Sequence, residues 1–301
     1  MQWQHSATLP DNFITKPLRQ LLMQDWLMPK HLVYSLKLGQ RVLVNGAYLP
    51  VNFEVRAGDH ILLTFLPTDF QTPFQNIAPD SAATVAAVYE DTNMLVVNKT
   101  PGSKTHANQP GEVGATLNHV AAYLLPKAQQ PYMIHRLDQE TSGALIVAKD
   151  PAVVPILVRL IKEKRIKRTY LTWVHGRLQS EHGTISIPIG RDPEDKRKRQ
   201  IGGIHPQPAT THYRVIRRIA DATLVAVQLQ TGRTHQIRVH FSGLGHPIIG
   251  DPLYADDDRR QRLLLHSWRV VLPVPYAFET VRVEAPVPET FIEFEKHSKK
   301  S

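Results

Sequence analysis

From Val85 onward the chain is a succession of short apolar or alternating runs separated by polar turns. A period of two over a few residues predicts strands. They fall at residues 85–89, 94–98, 144–148, 170–174, 184–187, 211–216, 224–229, 235–240 and 280–284. Helical spacing is confined to 115–125 and 152–163. Many strands with sparse helices predict an α+β fold with a mixed or largely antiparallel sheet.

The first 66 residues read differently. Pro17 opens a helical segment, as proline does at a first turn, and a second runs near His31–Leu36 and stops near Gly39. Residues 41–44 form a short strand entering Asn45-Gly46, a strong hairpin signal. Residues 58–65 are a turn and a closing strand. Pro67, Pro73 and Pro79 among polar residues mark 67–83 as a linker. The organisation expected is a small α/β unit (1–66), the linker, a large unit (84–292) and a frayed tail (293–301). No solenoid-like repeat is present.

Composition is that of an ordinary globular protein, with 42% hydrophobic and 21% charged residues in 301. The net charge of +9 is clustered, which points to a polyanionic partner. The chain has no cysteine, excluding disulfides, thiolate catalysis and cysteine-ligated metals. The N-terminus lacks a secretory pattern, and no apolar run reaches membrane-spanning length. A cytoplasmic location is expected.

Four segments carry candidate chemistry. In residues 134–143, Asp138 lies in a polar loop between the apolar entry at 132–134 and the strand at 144–148, with Arg136 beside it and Thr141 and Ser142 able to donate to it. A carboxylate held in this way can serve as a nucleophile. Residues 159–170 contain six basic residues and one acid, then Tyr170 opens an apolar strand. Solvated cations at a helix end and a core tyrosine are the plainer alternatives. In 231–240, strand parity places Gln236, Arg238 and His240 on one face and His235, Ile237 and Val239 on the other. That face lines a polar site or is ordinary solvent face, and the same parity argues against a shared zinc between His235 and His240. Residues 243–254 invite a dinucleotide fingerprint but carry Ile248 where its third glycine belongs. Residues 191–199 read as an exposed, mobile mixed-charge loop whose Lys196–Arg199 end could meet phosphates.

Taken together, these segments resemble the RluA-type pseudouridine synthases. His135-Arg136-Leu137-Asp138 with Thr141-Ser142-Gly143 is similar to the family's HRLDxxTSG signature at every fixed position. Lys167–Tyr170 resembles the second motif and Gly232–His240 the third. Gly245-His246-Pro247-Ile248, Gly250-Asp251 and Tyr254 resemble the loop that follows, and Leu265-His266, Ala285-Pro286 and Pro288 the C-terminal pattern. The likeness covers roughly 84–292. Residues 1–66 resemble, more loosely, an S4-like RNA-binding domain. The sequence departs from the usual pattern at Lys104–Ala107 and at Ser267.

The resemblance implies an isomerase that turns uridine into pseudouridine in RNA. It would need no metal, nucleotide or other cofactor, because nothing enters or leaves the substrate. Asp138 would be the catalytic carboxylate, attacking C1′ or assisting a glycal-like intermediate. Arg238 would pair with Asp138, and Tyr170 would stack on the target base and help remove its C5 proton. Arg136 would fill the space of the flipped base. His135, Thr141, Arg168, Arg233 and Gln236, from the same motifs, are expected to meet the RNA. The expected partner is ribosomal RNA of the large subunit, with transfer RNA the alternative, bound by a monomer. A non-catalytic RNA-binding protein and a metal-dependent hydrolase using some of the 15 histidines are the competing classes.

Overall fold

The computed structural model describes residues 2–70, 77–256 and 261–298. The N-terminal unit is a four-stranded antiparallel sheet of β1 (Trp3–Thr8), β2 (Val42–Val44), β3 (Ala47–Tyr48) and β4 (His60–Phe65), in the order β1-β4-β2-β3. The helix α1 (Lys30–Leu38) covers it and ends at Gly39 as expected. Asn45 and Gly46 both take positive φ, 50° and 84°. This is the primed turn that matches strand twist. The strand β1 carries no strong period-two signal and was not anticipated.

The large sheet contains β5 (Ala87–Glu90), β6 (Met94–Lys99), β7 (Ser142–Ala148), β8 (Lys167–His175), β9 (His182–Ser186), β10 (Thr210–Arg218), β11 (Ala222–Leu229), β12 (Leu265–Pro273) and β13 (Thr280–Glu284). Its order is β9-β10-β11-β8-β12-β7-β6-β5, with β13 on β12 and the short strand Tyr132–Met133 on β7. All pairs are antiparallel except β7 with β12, which run parallel through Ser142↔His266 and Gly143↔Ser267. The fold is therefore α+β with a mixed sheet.

Both faces of this sheet are covered, which explains the unbroken apolar run at 144–148. Ala144, Ile146 and Ala148 face a core shared with Met94, Val96, Val270 and the helix α3 (Val154–Lys162). Leu145 and Val147 face the other core, with Leu95, Val97, Tyr170, the helix α2 (Thr116–Leu124) and Leu137. Burial of each such aliphatic side chain contributes about 1.5–3 kcal/mol. The first of these cores continues without a break into the N-terminal unit through Leu21, Leu22, Trp26, Leu32 and Phe65. Arg159 on α3 also donates to the carbonyls of Met23 and Leu27, at 3.2 and 3.5 Å.

Two expectations change. Residues 235–240 are not a strand but the start of the helix α4 (Gln236–Gly243). Residues 293–298, read as part of a frayed tail, lie in the helix α5 (Glu289–Ser298), where Phe291 is buried and Phe294 packs on Trp173. Residues 192–198 form the expected, largely exposed loop, and its ends are tied by the pairing of Ile189–Arg191 with Arg199–Ile201 and Ile204–Gln207. The linker reading of 67–83 falls partly on 71–76, outside the described residues; within the rest, Asn118 on α2 ties down Ala78 and Asp80. Among the described residues no helix is long and apolar enough to cross a membrane.

Candidate active site

The loop carrying Asp138 is held from below by groups that sequence patterns do not single out. Lys99, at the end of β6, is 1% exposed and donates all three ammonium hydrogens to carbonyls: Thr100 at 2.9 Å, Gln139 at 2.8 Å and Thr141 at 3.0 Å. Burial pulls its pKa down to about 8, opposed by the nearby Glu140 and Asp138 carboxylates. The Thr105 hydroxyl grips Leu137 twice, donating to its carbonyl at 2.7 Å and accepting its N–H at 3.1 Å. At the far end, the Ser142 hydroxyl meets Nδ1 of buried His266 at 2.9 Å.

These contacts leave the Asp138 carboxylate free. The Thr141 N–H goes to the Asp138 carbonyl, not to its side chain, and the Ser142 hydroxyl goes to His266. The expectation that Thr141 and Ser142 donate to the carboxylate is thus corrected. The carboxylate is one-fifth exposed, and its one ion partner among the described residues is Nη1 of Arg238, at 4.0 Å.

Arg238 itself is committed elsewhere. From α4 it forks onto Asp251, with Nε to Oδ2 at 2.8 Å and Nη2 to Oδ1 at 2.6 Å. Its guanidinium also lies over the Tyr254 ring, 5.0 Å from the centroid. Burial disfavours its charge, yet the Asp251 contacts and the Asp138 field hold it more firmly cationic than usual. The simple Asp138–Arg238 pair expected from the motifs is thus a row of three charges. Tyr170 is 4% exposed on β8, next to a bulge where β12 inserts Trp268 opposite the Thr169–Tyr170 step. Bulges re-aim side chains in this way.

A cleft of about 390 Å³ gathers the expected residues: His135, Arg136, Asp138, Thr141, Tyr170 and Arg238 all line it, as do Arg168, Arg233 and Gln236. Their roles within it differ. Arg136 and Arg233 are exposed at its wall, and Arg168 is half-buried. Gln236 is 2% exposed and fully occupied by protein: its amide donates to Thr210 O and Thr211 Oγ1, and its carbonyl accepts from Thr231 Oγ1 and the Arg233 N–H. It seats α4 on β10 and has no group left for RNA, which corrects that expectation. His240, one turn on, does the same through Thr211 and Ile187. His235 takes φ of 58° at the helix start, and its Nδ1 meets the Tyr254 hydroxyl at 2.9 Å. Among the described residues no cluster of three or more His, Asp or Glu is placed to hold a metal ion.

His135 accepts the Ile146 N–H at Nε2, at 3.0 Å. Burial pulls its pKa to about 3, and that of His266 to about 4. Both are neutral in the folded protein, whereas the unfolded chain takes up protons near pH 6.5. Stability is therefore expected to fall as pH drops below 6.5, because the unfolded state then binds more protons. Each group contributes a slope of about 1.4 kcal/mol per pH unit until its folded pKa is reached. Urea unfolding from pH 8 to 5 reads this directly; a flat profile below 6.5 would contradict neutral burial of the two rings.

Residues 93–243 match the family model for RNA pseudouridylate synthase, and residues 5–61 match the model for the RluD ribosomal pseudouridine synthase N-terminal domain. An uncharacterized RNA pseudouridine synthase of Bacillus subtilis, YhcT, is 34% identical over 294 residues, covering 95% of this chain and 90% of that one. The chain belongs to the RluA/RluD-type RNA pseudouridine synthases. It is an isomerase acting on RNA. Ribosomal large subunit pseudouridine synthase D of Nitrosomonas europaea is 31% identical over 297 residues, 94% of this chain and 84% of that one. Among solved structures, human RNA pseudouridylate synthase domain containing 1 is 31% identical and superimposes with a TM-score of 0.59 over 69% of this chain and 85% of that one. For a pseudouridine synthase, sequence reading assigned no role to Lys99 and Thr105, which hold the Asp138 loop by its backbone, to Asp251 and Tyr254, which flank Arg238, or to His266, which meets the Ser142 hydroxyl. Their signal lies in three-dimensional partnership, apart from Lys99, a cation that ends a strand opened by four apolar residues.

Proposed function

We propose that this synthase isomerises uridines of large-subunit ribosomal RNA by a cofactor-free route in which Asp138 is the reacting carboxylate. One observation carries the reading. Among the described residues lining the cleft, Asp138 is the one carboxylate, and Arg136, Lys164, Arg168, Arg233 and Arg238 surround it. Such a cleft attracts a polyanion and presents it with a single anionic nucleophile. A glycosidase needs two carboxylates because it must protonate a leaving group and then activate water. Here the detached uracil is recaptured through C5, so one carboxylate suffices. Tyr170, buried on the cleft floor, stacks on the flipped base and assists loss of its C5 proton. Arg136, exposed at the wall, occupies the place the base leaves.

The ribosomal substrate is inferred from the likeness to large-subunit synthases and from the N-terminal unit. Residues 1–66 serve as an RNA-gripping unit joined through 67–83 to the catalytic unit at 84–292. The test is pseudouridine mapping across cellular RNA with and without the gene. A large-subunit site that disappears, and returns with wild type but not with Asp138→Asn, is the expected result. A lost site in transfer RNA alone would overturn the substrate assignment and leave the chemistry standing.

A further inference from the structure

We propose that His235 is a further catalytic residue: its Nε2–H donates to a carbonyl oxygen of the flipped uracil and steadies the negative charge that gathers there as the glycosidic bond breaks, in a tautomer fixed by the Tyr254 hydroxyl. The inference rests on the reading of Asp138 and its cleft given above.

The ring is tied at one nitrogen only. His235 Nδ1 meets the Tyr254 hydroxyl at 2.9 Å, and among the described residues no hydrogen-bond partner meets Nε2. The Tyr254 oxygen already accepts the Arg199 N–H at 2.8 Å. Burial pushes the phenol up to about 12, so the oxygen keeps its own hydrogen. That hydrogen goes to Nδ1, and the neutral ring then carries its hydrogen on Nε2. Burial also lowers the His235 pKa, with Arg238 and Arg199 adding to the effect and Asp138 and Asp251 opposing it. At neutral pH the ring is therefore an uncharged donor.

His235 lines the same cleft as Asp138 and Tyr170 and is half-buried in its wall. It stands three residues before Arg238, and the Tyr254 ring meets both: nearly perpendicular to His235 at 5.7 Å between centroids, and under the Arg238 guanidinium at 5.0 Å. Its φ of 58° is left-handed, a conformation that favours glycine or asparagine. Strain of this kind persists where neighbours fix it, and it clusters at reacting sites. The chemistry explains what such a donor does. Breaking the C1′–N1 bond leaves the electron pair on the uracil, spread over N1, O2 and O4. A fixed neutral donor holds an uncharged carbonyl weakly and the departing base strongly, which is what accelerates the step. No proton changes hands, so the base keeps its electron pair for recapture through C5.

His235→Asn removes the ring and keeps a residue that tolerates the left-handed backbone. In single-turnover assays on an RNA oligonucleotide carrying the uridine found by mapping, conversion is expected to fall about 100-fold, the usual loss for one such donor, while the RNA dissociation constant stays within about threefold. The same RNA with 2-thiouridine or 4-thiouridine at the target identifies the contact, since sulfur is a weak acceptor. On one of the two, the gap between wild type and His235→Asn should close to about tenfold or less. An equal gap on all three RNAs would overturn the uracil contact, as would an unchanged rate or a rate loss matched by an equal loss of RNA affinity. Tyr254→Phe should slow conversion about tenfold, and adding it to His235→Asn should cost nothing more; fully additive losses would overturn the tautomer link. If the Asn variant does not fold, Tyr254→Phe on the thio-RNAs serves in its place, its own gap closing on one of them or overturning the contact by staying equal. Asp138→Asn run in parallel separates the two ideas. If it stays active, the reading of Asp138 has failed; if it is dead while His235→Asn is fully active, only the role of His235 has failed.

Discussion

Asp138→Asn is expected to lower pseudouridine formation by about 10⁴-fold or more, while affinity for substrate RNA holds or rises slightly. The two halves of this expectation have separate causes. Asparagine matches aspartate in shape but cannot act as an anionic nucleophile, so the chemical step is lost. The fold should be indifferent, because the Asp138 side chain takes no hydrogen bond among the described residues and meets Arg238 only at 4.0 Å. The loop is held through main-chain groups, by Lys99 and Thr105, which the substitution does not touch. Binding should improve if it changes, since the one carboxylate in a cleft with five cations repels phosphate. Single-turnover conversion and filter binding on the same RNA measure both halves. Activity within a hundredfold of wild type would remove Asp138 from the chemistry, and a large loss of affinity would make it a binding residue instead.

Much of this site was legible in the chain because its pieces lie on short, sharply bounded segments. The Asp138 loop sits between the apolar entry at 132–134, which pairs as the short strand Tyr132–Met133, and the strand Ser142–Ala148, whose apolar run is plain in the sequence. Tyr170 opens an apolar strand just after a run of cations. The third motif was harder. Gln236, Ile237, Arg238, Val239 and His240 alternate polar with apolar, which mimics a strand, yet they form a helix. The reason is that every one of them is buried. A helix with no solvent face has no amphipathic period to read. With the period lost, the argument from strand parity against a zinc shared by His235 and His240 has no force either.

The remaining errors have similar physical roots. The strand Leu265–Pro273 was passed over because the bulge at Trp268 breaks its alternation. The C-terminal helix is short and carries mixed charges, and it shows its purpose only where Phe291 and Phe294 meet the outer face of β8. Arg238 does face Asp138, but its second acid, Asp251, was not foreseen, for a deeper reason. Two carboxylates compete for one guanidinium, and only folding brings Asp251 to it from a loop that reads as a plain turn. Motif position told that Arg238 matters; it could not tell which acid holds it.

Gly143→Ala should cost about 3–5 kcal/mol of stability, combining left-handed strain with overpacking. Gly143 ends the Thr141-Ser142-Gly143 signature and lies between two partners in the sheet, opposite Lys99 on β6 and Ser267 on β12. Its φ is +104°, and an added Cβ would stand 2.2 Å from the Ser267 carbonyl oxygen and 2.8 Å from that residue's backbone N and C. None of those atoms can swing away as a side-chain tip could. The two parallel strands must separate by about 1 Å to restore ordinary contact, and Lys99, which gathers the Asp138 loop, moves with them. For a chain of this size the melting temperature should fall by roughly 10 °C, and conversion by the folded fraction should fall while RNA affinity changes little. Gly46→Ala is the control. It also has positive φ, +84°, but faces open space, so it should lose only about 1 kcal/mol. Calorimetry on both variants decides the matter: equal losses would mean that conformational strain alone makes Gly143 necessary, and that the close approach of β7 to β12 does not constrain the site.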